Sequence, residues 1–412
     1  MAFRVLALFG LLSILVGCAA RESVAQVDAP KSFPREQVVK GAELAHIGNC
    51  MSCHTAQGGK PYAGGTPLKT PFGTIYGTNI TPDAETGIGG WPLEAFSRAM
   101  REGLDREGRH LFPAFPYDHF TKLTDEDVAA LYAFIMTREP VKAENRRNGV
   151  PIPRAAVGIW KSRYFTPGRL QPDPARSAEW NRGAYLVEGL GHCGACHTPR
   201  NSLGAEKKDQ AFAGGEVEGW HAPALDSASP SPVPWTVEAM QAYLRNGIAD
   251  LHPISAGPMV DVVHGLSQVS DDALRAISVY TASLDKRSDE ERRRAREAAL
   301  ERARTAVALK GHAVYDGACA DCHNRGREQE GGALQLPLGT ALTIPTPRNL
   351  AYIIRDGILP HEGERGGWMP PYAGALTDEQ LTDLLIYLRA LSGRPAWADV
   401  AGEVRKLSKG ER

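Results

Sequence analysis

The pentapeptide Cys-x-x-Cys-His occurs three times in this chain of 412 residues, and it constrains the fold more than any other feature. The copies are at residues 50–54, 193–197 and 319–323. Two thiols three residues apart can add to the two vinyl groups of one haem, and the adjoining histidine then coordinates its iron. The repeats therefore predict three covalently bound haem c groups.

The motifs also identify the residues of each predicted haem site. The attachment cysteines are Cys50, Cys53, Cys193, Cys196, Cys319 and Cys322, and the axial histidines are His54, His197 and His323. A zinc ribbon would place its two Cys-x-x-Cys pairs about twenty residues apart, much closer than these motifs lie. A thioredoxin-like site would need a single Cys-x-x-Cys in an alternating strand and helix pattern, which the sequence lacks. Haem attachment is the interpretation that fits.

The motif spacing and the chain length predict the same division. A chain of this length suits three domains of about 100 residues. We expect an all-α protein made of three tandem class I cytochrome c domains. Their predicted bounds are 36–143, 177–287 and 306–393, with a proline-rich connector at 144–176, a charged helical linker at 288–305 and a polar, loosely held tail at 394–412. Lys plus Arg number 47 and Asp plus Glu 48, so no basic excess indicates nucleic acid binding.

Each predicted domain repeats one plan of an opening helix, a haem motif, irregular loops and a closing helix. The opening helices carry a glycine eight to ten residues before the first haem cysteine, where close helix crossing needs a small side chain. These glycines are Gly41, Gly183 and Gly311. The closing helices follow the N-cap residues Thr124, Ser270 and Thr377, each with acidic residues in the first turn.

The N-terminus has the pattern of an export signal over residues 1–17, followed by a tether at 18–35. Arg4 precedes an apolar run that is too short to span a bilayer, which needs about 20 residues. Leu15-Val16-Gly17-Cys18 resembles a bacterial lipobox, which predicts lipidation of Cys18 and anchoring at the periplasmic side of a membrane. The alternative is ordinary cleavage near Ala20, with Cys18 discarded.

Methionine residues in two loops are candidates for the sixth iron ligand. Met259 and Met369 each lie shortly before a closing helix, where a thioether can complete the coordination of a carrier haem. The alternative for each is a methionine that fills a gap in the core. In the first domain Phe115 occupies this position, and phenylalanine cannot bind iron. His119 is then the first candidate, followed by His110 and Met100, or the haem is open on one side.

Aromatic residues of the connector leave two interpretations open. Trp160, Tyr164 and Phe165 can contact a partner or a membrane surface, or they can pack against a neighbouring domain. The linker run that begins at Asp289 mixes charges at i,i+4 spacing, which is typical of a solvated helix.

The chain resembles the three-haem cytochrome c subunits of periplasmic, membrane-associated dehydrogenases, such as the alcohol and gluconate dehydrogenase complexes. The resemblance covers about residues 36 to 393 and is most specific at 58–65, 78–83 and 183–193. It implies electron uptake from a catalytic subunit and delivery to membrane ubiquinone or a further carrier. The family's usual first-domain methionine falls on Phe115. The loop at 113–120 looks more like cytochromes that accompany molybdenum hydroxylases of the aldehyde, nicotinate and isoquinoline type.

We therefore interpret the chain as an electron-transfer subunit whose partner performs the substrate chemistry. That partner would be a molybdenum hydroxylase with an iron–sulfur subunit, a quinoprotein or a flavoprotein. The sequence lacks a glycine-rich dinucleotide fingerprint, and no Ser/His/Asp arrangement stands out. Two alternatives stay open: a peroxidase-like haem enzyme with an open first haem, and a cytochrome subunit that feeds a terminal oxidase.

Overall fold

The computed structural model describes residues 23–27, 32–302, 309–327, 329–330, 332–359 and 367–410. These residues are largely helical. The helices are Arg35–Ile47 (α1), Cys50–His54 (α2), Leu93–Glu102 (α3), Tyr117–Phe120 (α4), Asp125–Met136 (α5), Arg154–Tyr164 (α6), Ala178–Tyr185 (α7), Gly194–His197 (α8), Val237–Asn246 (α9), Met259–Leu266 (α10), Asp271–Ser283 (α11), Asp289–Arg302 (α12), Gly311–Ala318 (α13), Ala320–His323 (α14), Arg348–Asp356 (α15), Asp378–Leu391 (α16) and Val400–Ser408 (α17).

Strands form only two short antiparallel hairpins in the described part of the chain. Pro67–Thr70 (β1) pairs with Gly73–Tyr76 (β2), and Gly215–Val217 (β3) pairs with Trp220–Ala222 (β4). A π-helical turn, Leu186–Leu190, continues α7 towards the second haem motif. The backbone between helices is otherwise irregular, as a fold that wraps loops around a cofactor requires.

Three helix crossings organise the chain, α1 with α5, α7 with α11, and α13 with α16. At each crossing a glycine faces a carbonyl of the closing helix so closely that an added Cβ would lie 2.0 to 2.1 Å from its oxygen. The pairs are Gly41 with Ala130, Gly183 with Ala276 and Gly311 with Asp383. The prediction of glycine at the crossing is confirmed. We call residues 35–136, 178–283 and 311–408 the first, second and third units.

The predicted N-caps of the closing helices are also confirmed. The side chains of Thr124, Ser270 and Thr377 each accept a hydrogen bond from the backbone N–H three residues on. At Thr377 the cap is reciprocal, because the Gln380 side chain accepts from the Thr377 backbone. Each cap satisfies an N–H group that would otherwise lack a partner at the helix start.

The buried apolar residues divide unevenly between the units. One continuous core contains the crossings of both the first and second units, including Leu44, Leu131, Leu190 and Leu274. A separate core fills the third unit, around Leu384 and Leu385. The first two units therefore pack as one body, and the third has its own apolar interior.

The connector packs on the chain through its aromatic residues, which is one of the two interpretations that the sequence left open. The connector contains α6, and its aromatic residues pack against neighbouring parts of the chain: Phe165 meets Tyr117 edge-on at 5.2 Å, and Trp160 Nε1 donates to the Leu203 carbonyl at 2.9 Å.

The expectation of a loosely held tail is wrong, because α17 packs on α15 and α16. Apolar residues at helical spacing bury one face of the tail, with Val404 only 1% exposed.

The charged linker is helical over its described residues. In α12, Arg293 pairs with Glu290 and Glu297, as i,i+3 and i,i+4 neighbours. The helix is not wholly solvated, because Ala299 is fully buried against Leu334 and Leu338.

The predicted export signal and Cys18 lie outside the described residues. Within the described residues, no helix is both long and apolar enough to cross a bilayer.

Candidate haem sites

The three histidines of the motifs are held in one common way. Each lies in the short helix α2, α8 or α14, and its Nδ1 donates to a backbone carbonyl 2.7 Å away. The pairs are His54 with Thr78, His197 with Pro223 and His323 with Leu334. Because the proton is on Nδ1, the lone pair is on Nε2, which is the atom that must face an iron.

Burial keeps these groups in the state that haem attachment needs. It lowers the pKa of His54, His197 and His323 from the ordinary value, so all three imidazoles are neutral at pH 7. It also raises the pKa of the Cys50 thiol to about 12, so this cysteine is a neutral thiol at pH 7. All six motif cysteines are free of disulfides. The residues therefore fit a covalently attached haem.

The first and second motifs approach one another closely. The His192 ring, just before Cys193, lies 3.3 Å through Nε2 from the Gly48 carbonyl, just before Cys50. A Cβ on Gly48 would lie 3.0 Å from the Leu190 side chain. The two attachment segments are therefore neighbours across the junction of the first and second units.

The candidate methionine ligands lie against the cores of the corresponding motifs. Met259, the first residue of α10, is half-buried and packs on the core shared by the first two units, which contacts both Cys50 and Cys193. Met369 is half-buried and packs on the core that also contacts Cys319. Met369 is fixed by two backbone hydrogen bonds of 2.9 Å with Ile358. Iron ligation by either methionine stays a prediction.

His119 is held through both of its ring nitrogens. Its Nδ1 lies 2.9 Å from the Glu188 carbonyl oxygen and its Nε2 lies 2.9 Å from the Glu206 carboxylate. Both partners can only accept, so both ring nitrogens donate and the imidazolium has no lone pair for iron. Burial, the largest influence, lowers the pKa of His119, but the hydrogen bond and charge of Glu206 raise it overall. In this arrangement His119 offers no nitrogen to an iron, and its ligation of the first haem stays a prediction.

His119 lies at the centre of a charged contact between the first and second units. Arg200 Nη2 approaches Glu206 at 3.3 Å, and Lys122 Nζ donates to the Glu188 carbonyl at 3.0 Å. A Cβ on Gly194, inside the second haem motif, would lie 3.1 Å from the His119 ring. Sequence reasoning missed Glu188 and Glu206, because they lie 69 and 87 residues away from His119 along the chain.

The carboxylates beside His119 do not need a metal ion to explain them. Ligand atoms of Asp118, His119 and Glu206 lie within 4.8 Å of one another. Hydrogen bonds already satisfy both nitrogens of His119, and two cationic side chains neutralise the surrounding acids. His119, Glu206 and Arg200 form an ion-pair network, and Asp118 lies beside it.

The other candidates for the first haem are constrained differently. His110 Nε2 would lie 2.8 Å from a Cβ on Gly158, so its ring is packed on α6. Met100 is 7% exposed and belongs to the core of the first unit. Phe115 packs on the same core and meets Phe120 at 5.3 Å. The loop position therefore carries an apolar ring, as the sequence requires, and the sixth ligand of the first haem stays open among His119, His110, Met100 and no protein ligand.

Comparisons with known proteins agree with this geometry. A family profile described as cytochrome c matches residues 38–139, and one described as cytochrome C oxidase, cbb3-type, subunit III matches residues 306–388. The gluconate 2-dehydrogenase cytochrome c subunit of Pantoea cypripedii is 35% identical over an alignment of 429 positions, gaps included, which covers 97% of this chain and 95% of that protein. This chain belongs to the family of dehydrogenase cytochrome c subunits. The predicted resemblance is confirmed, and cytochrome c domains imply covalent haem c.

Two further relatives show the breadth of this similarity. The cytochrome c subunit of a quinone alcohol dehydrogenase from Gluconobacter oxydans is 34% identical over 98% of this chain and 87% of its own length. A nicotinate dehydrogenase subunit from Pseudomonas putida is 42% identical over 94% of this chain. The chain spans only 33% of that last relative.

Proposed function

We propose that the chain is a tri-haem c-type cytochrome that carries electrons from a periplasmic dehydrogenase to membrane quinone or a downstream carrier. Haem c supplies one-electron chemistry at its iron. The three units correspond to three tandem cytochrome c domains, and each motif attaches one haem. The Nδ1 bonds of His54, His197 and His323 carry this proposal, because they prepare the same iron-facing nitrogen three times.

The partner is proposed from the relatives. Those relatives are named as subunits of gluconate, alcohol and nicotinate dehydrogenases, so the electron donor is a dehydrogenase catalytic subunit. The 42% identity to a nicotinate dehydrogenase subunit supports a molybdenum hydroxylase as the donor, as does the form of the loop at 113–120. Copurification of the chain with the dehydrogenase would support this pairing. Reduction by the isolated catalytic subunit, followed by quinone-dependent reoxidation, is the functional test.

Met259 and Met369 are proposed as the sixth ligands of the second and third haems. A Met–Fe(III) bond gives a near-infrared charge-transfer band and raises the reduction potential. We expect this band to fall by about half in Met259→Ala or Met369→Ala and to vanish in the double variant, because two haems contribute to it. Exposed Met51 offers the control, and Met51→Ala should leave the band intact. An unchanged band after either ligand substitution would assign that methionine to core packing.

The loop before α5 is proposed to supply no ligand to the first haem. We expect the reduced protein to bind no more than one carbon monoxide per three haems. If the wild type binds no carbon monoxide and Met100→Ala binds one molecule per protein, Met100 is the ligand. If the wild type already binds one molecule per protein, the first site is open. Binding of carbon monoxide by all three haems would contradict the carrier function.

Lipidation of Cys18 is proposed as the membrane anchor. The expected result is that Cys18→Ala releases the protein into the soluble periplasmic fraction, because acyl chains provide about 0.8 kcal/mol per buried methylene. Mass spectrometry of the mature N-terminus provides the direct check. An unmodified N-terminus would reject the anchor.

A further inference from the structure

The indole of Trp220 connects the second unit to the third. Trp220 is the first residue of β4 in the second unit, yet its side chain packs against the core of the third unit. Its ring and that of Tyr352 in α15 are 5.1 Å apart, with an interplanar angle of 58°. Tyr352 is 2% exposed. A side chain of the second unit therefore completes the third unit's interior.

The indole also supports the loop that leads to Met259. A Cβ on Gly257 would lie 2.5 Å from Trp220 Cε2. Gly257 has a φ of +57°, in the region that favours glycine, and it precedes Met259 by two residues. The backbone of this loop is thus pressed directly against the indole, as only glycine allows.

The strand that carries Trp220 also leads to the carbonyl that holds His197 of the second haem motif. β4 ends at Ala222, and the carbonyl of the next residue, Pro223, accepts the Nδ1–H of His197. Asn349 of α15 binds this strand through two hydrogen bonds of 2.9 Å, donating to the His221 carbonyl and accepting from its N–H. The third unit therefore holds the strand between its contact with the methionine loop and its contact with the axial histidine.

We propose that Trp220 is a positioning residue for the second haem, and that Tyr352 and Asn349 of the third unit hold it in place. Docking of the third unit then fixes both axial sides of the second site. The inference rests on the proposed function, because it assumes ligation by His197 and Met259. Groups behind the direct ligands orient those ligands and tune the metal, so a loosened indole weakens the iron–thioether bond.

The test uses full-length protein with its haems attached and reads the near-infrared band and the individual potentials. Trp220→Ala should remove about half of the band and lower one potential, because thioether ligation favours ferrous iron. Trp220→Phe keeps a planar ring and should retain the band. Asn349→Ala, a change in the third unit, should also weaken the band of the second haem.

Trp180 provides a matched control. It forms a similar aromatic pair within the second unit, 5.0 Å from Tyr280 at 63°, and its Nε1 donates to Ser283 at the end of α11. Trp180→Ala removes an equal side chain and should leave the band and potentials unchanged. An equal loss in both tryptophan variants would show a general structural effect and overturn the inference.

The remaining outcomes separate this inference from the proposed ligation. If Met259→Ala halves the band while Trp220→Ala leaves it unchanged, the positioning role is wrong and the ligand assignment stands. If Met259→Ala leaves the band unchanged, the ligand assignment fails first. If Trp220→Ala does not retain three haems, the test of the positioning role is Asn349→Ala. An unchanged near-infrared band in Asn349→Ala would then contradict the inference.

Discussion

The junction between the first and second units differs in kind from the junction between the second and third. The first junction has a continuous apolar core and a buried ion pair, His119 with Glu206, whose side chains are 7% and 14% exposed. The second joins two separate cores through one hairpin and α15, through a small apolar cluster of Val233 with Leu334, and through Arg327, which donates to the His252 carbonyl. Its ion pair, Arg348 with Glu216, is 33% and 57% exposed.

This difference indicates how the chain divides when it is perturbed. Units that share a core lose stability together, because a disturbed crossing exposes apolar surface on both sides. A unit with its own core and a partly solvated contact can unfold while its neighbour stays folded. We therefore expect the first two units to keep or lose their fold and haems together, and the third unit to do so separately.

The largest expected effect comes from the crossing glycines. Gly41→Val places a side chain where even a Cβ lies 2.0 Å from the Ala130 oxygen, so α1 and α5 must separate. Overpacking costs about 1–3 kcal/mol or more, and a backbone clash lies at the upper end. We expect Gly41→Val to lose the first and second haems and keep the third. Gly311→Val should lose the third alone, as haem counting by mass spectrometry would show.

A matched control lies in the same helix as Gly311. A Cβ on Gly317 would meet nothing within 4 Å, so Gly317→Val should retain all three haems. If Gly41→Val lost only the first haem, the common core would not couple the two units.

A smaller effect is expected at the buried ion pair. His119→Ala leaves the largely buried Glu206 carboxylate with Arg200 as its remaining cationic neighbour, so the cost stays below the about 3–5 kcal/mol typical of an unpaired buried charge. Chemical denaturation should show this loss in the transition of the first two units and not in that of the third. His312→Ala, at a half-exposed pair with Asp316, should cost at most about 1 kcal/mol. Loss of a low-spin haem signal in His119→Ala would instead restore His119 as an iron ligand.

The pH dependence of that pair is the smallest effect. The pKa of His119 is raised overall, so its contribution to stability is complete below its ordinary value of 6.5 and falls as pH rises through the folded-state pKa. Burial alone would raise the pKa of Glu206, but His119 lowers it overall, so that contribution is complete above 4.5 and falls in acid. Above pH 6.5 the loss of the His119 proton lowers the free energy of unfolding by at most about 1.4 kcal/mol per pH unit. This dependence should be absent in His119→Ala, and an equal slope in both proteins would refute this role.

Local patterns predicted the repeated parts of this molecule well. The spacing of Gly41 and Thr124 around the first motif indicated the crossing and the cap, because both follow from backbone sterics within a few residues. The role of His119 was not predictable in this way. Its partners, Glu188 and Glu206, lie in another unit. From the sequence alone, a histidine in the loop before a closing helix has the pattern of an iron ligand. Only the fold shows that a distant carboxylate lies beside it. Trp220 was missed for the same reason, since Tyr352 is far from it along the chain.

The most direct test of the whole account is the intact mass of the purified mature protein under denaturing conditions. We expect a mass increased by three haem units, and we expect acidic acetone to extract no haem, because each haem is held by thioether bonds at its own motif. Cys196→Ala should reduce the count at the second motif only. A mature protein that carries two haems, or a count unchanged by Cys196→Ala, would contradict the claim that this chain is a three-haem electron carrier.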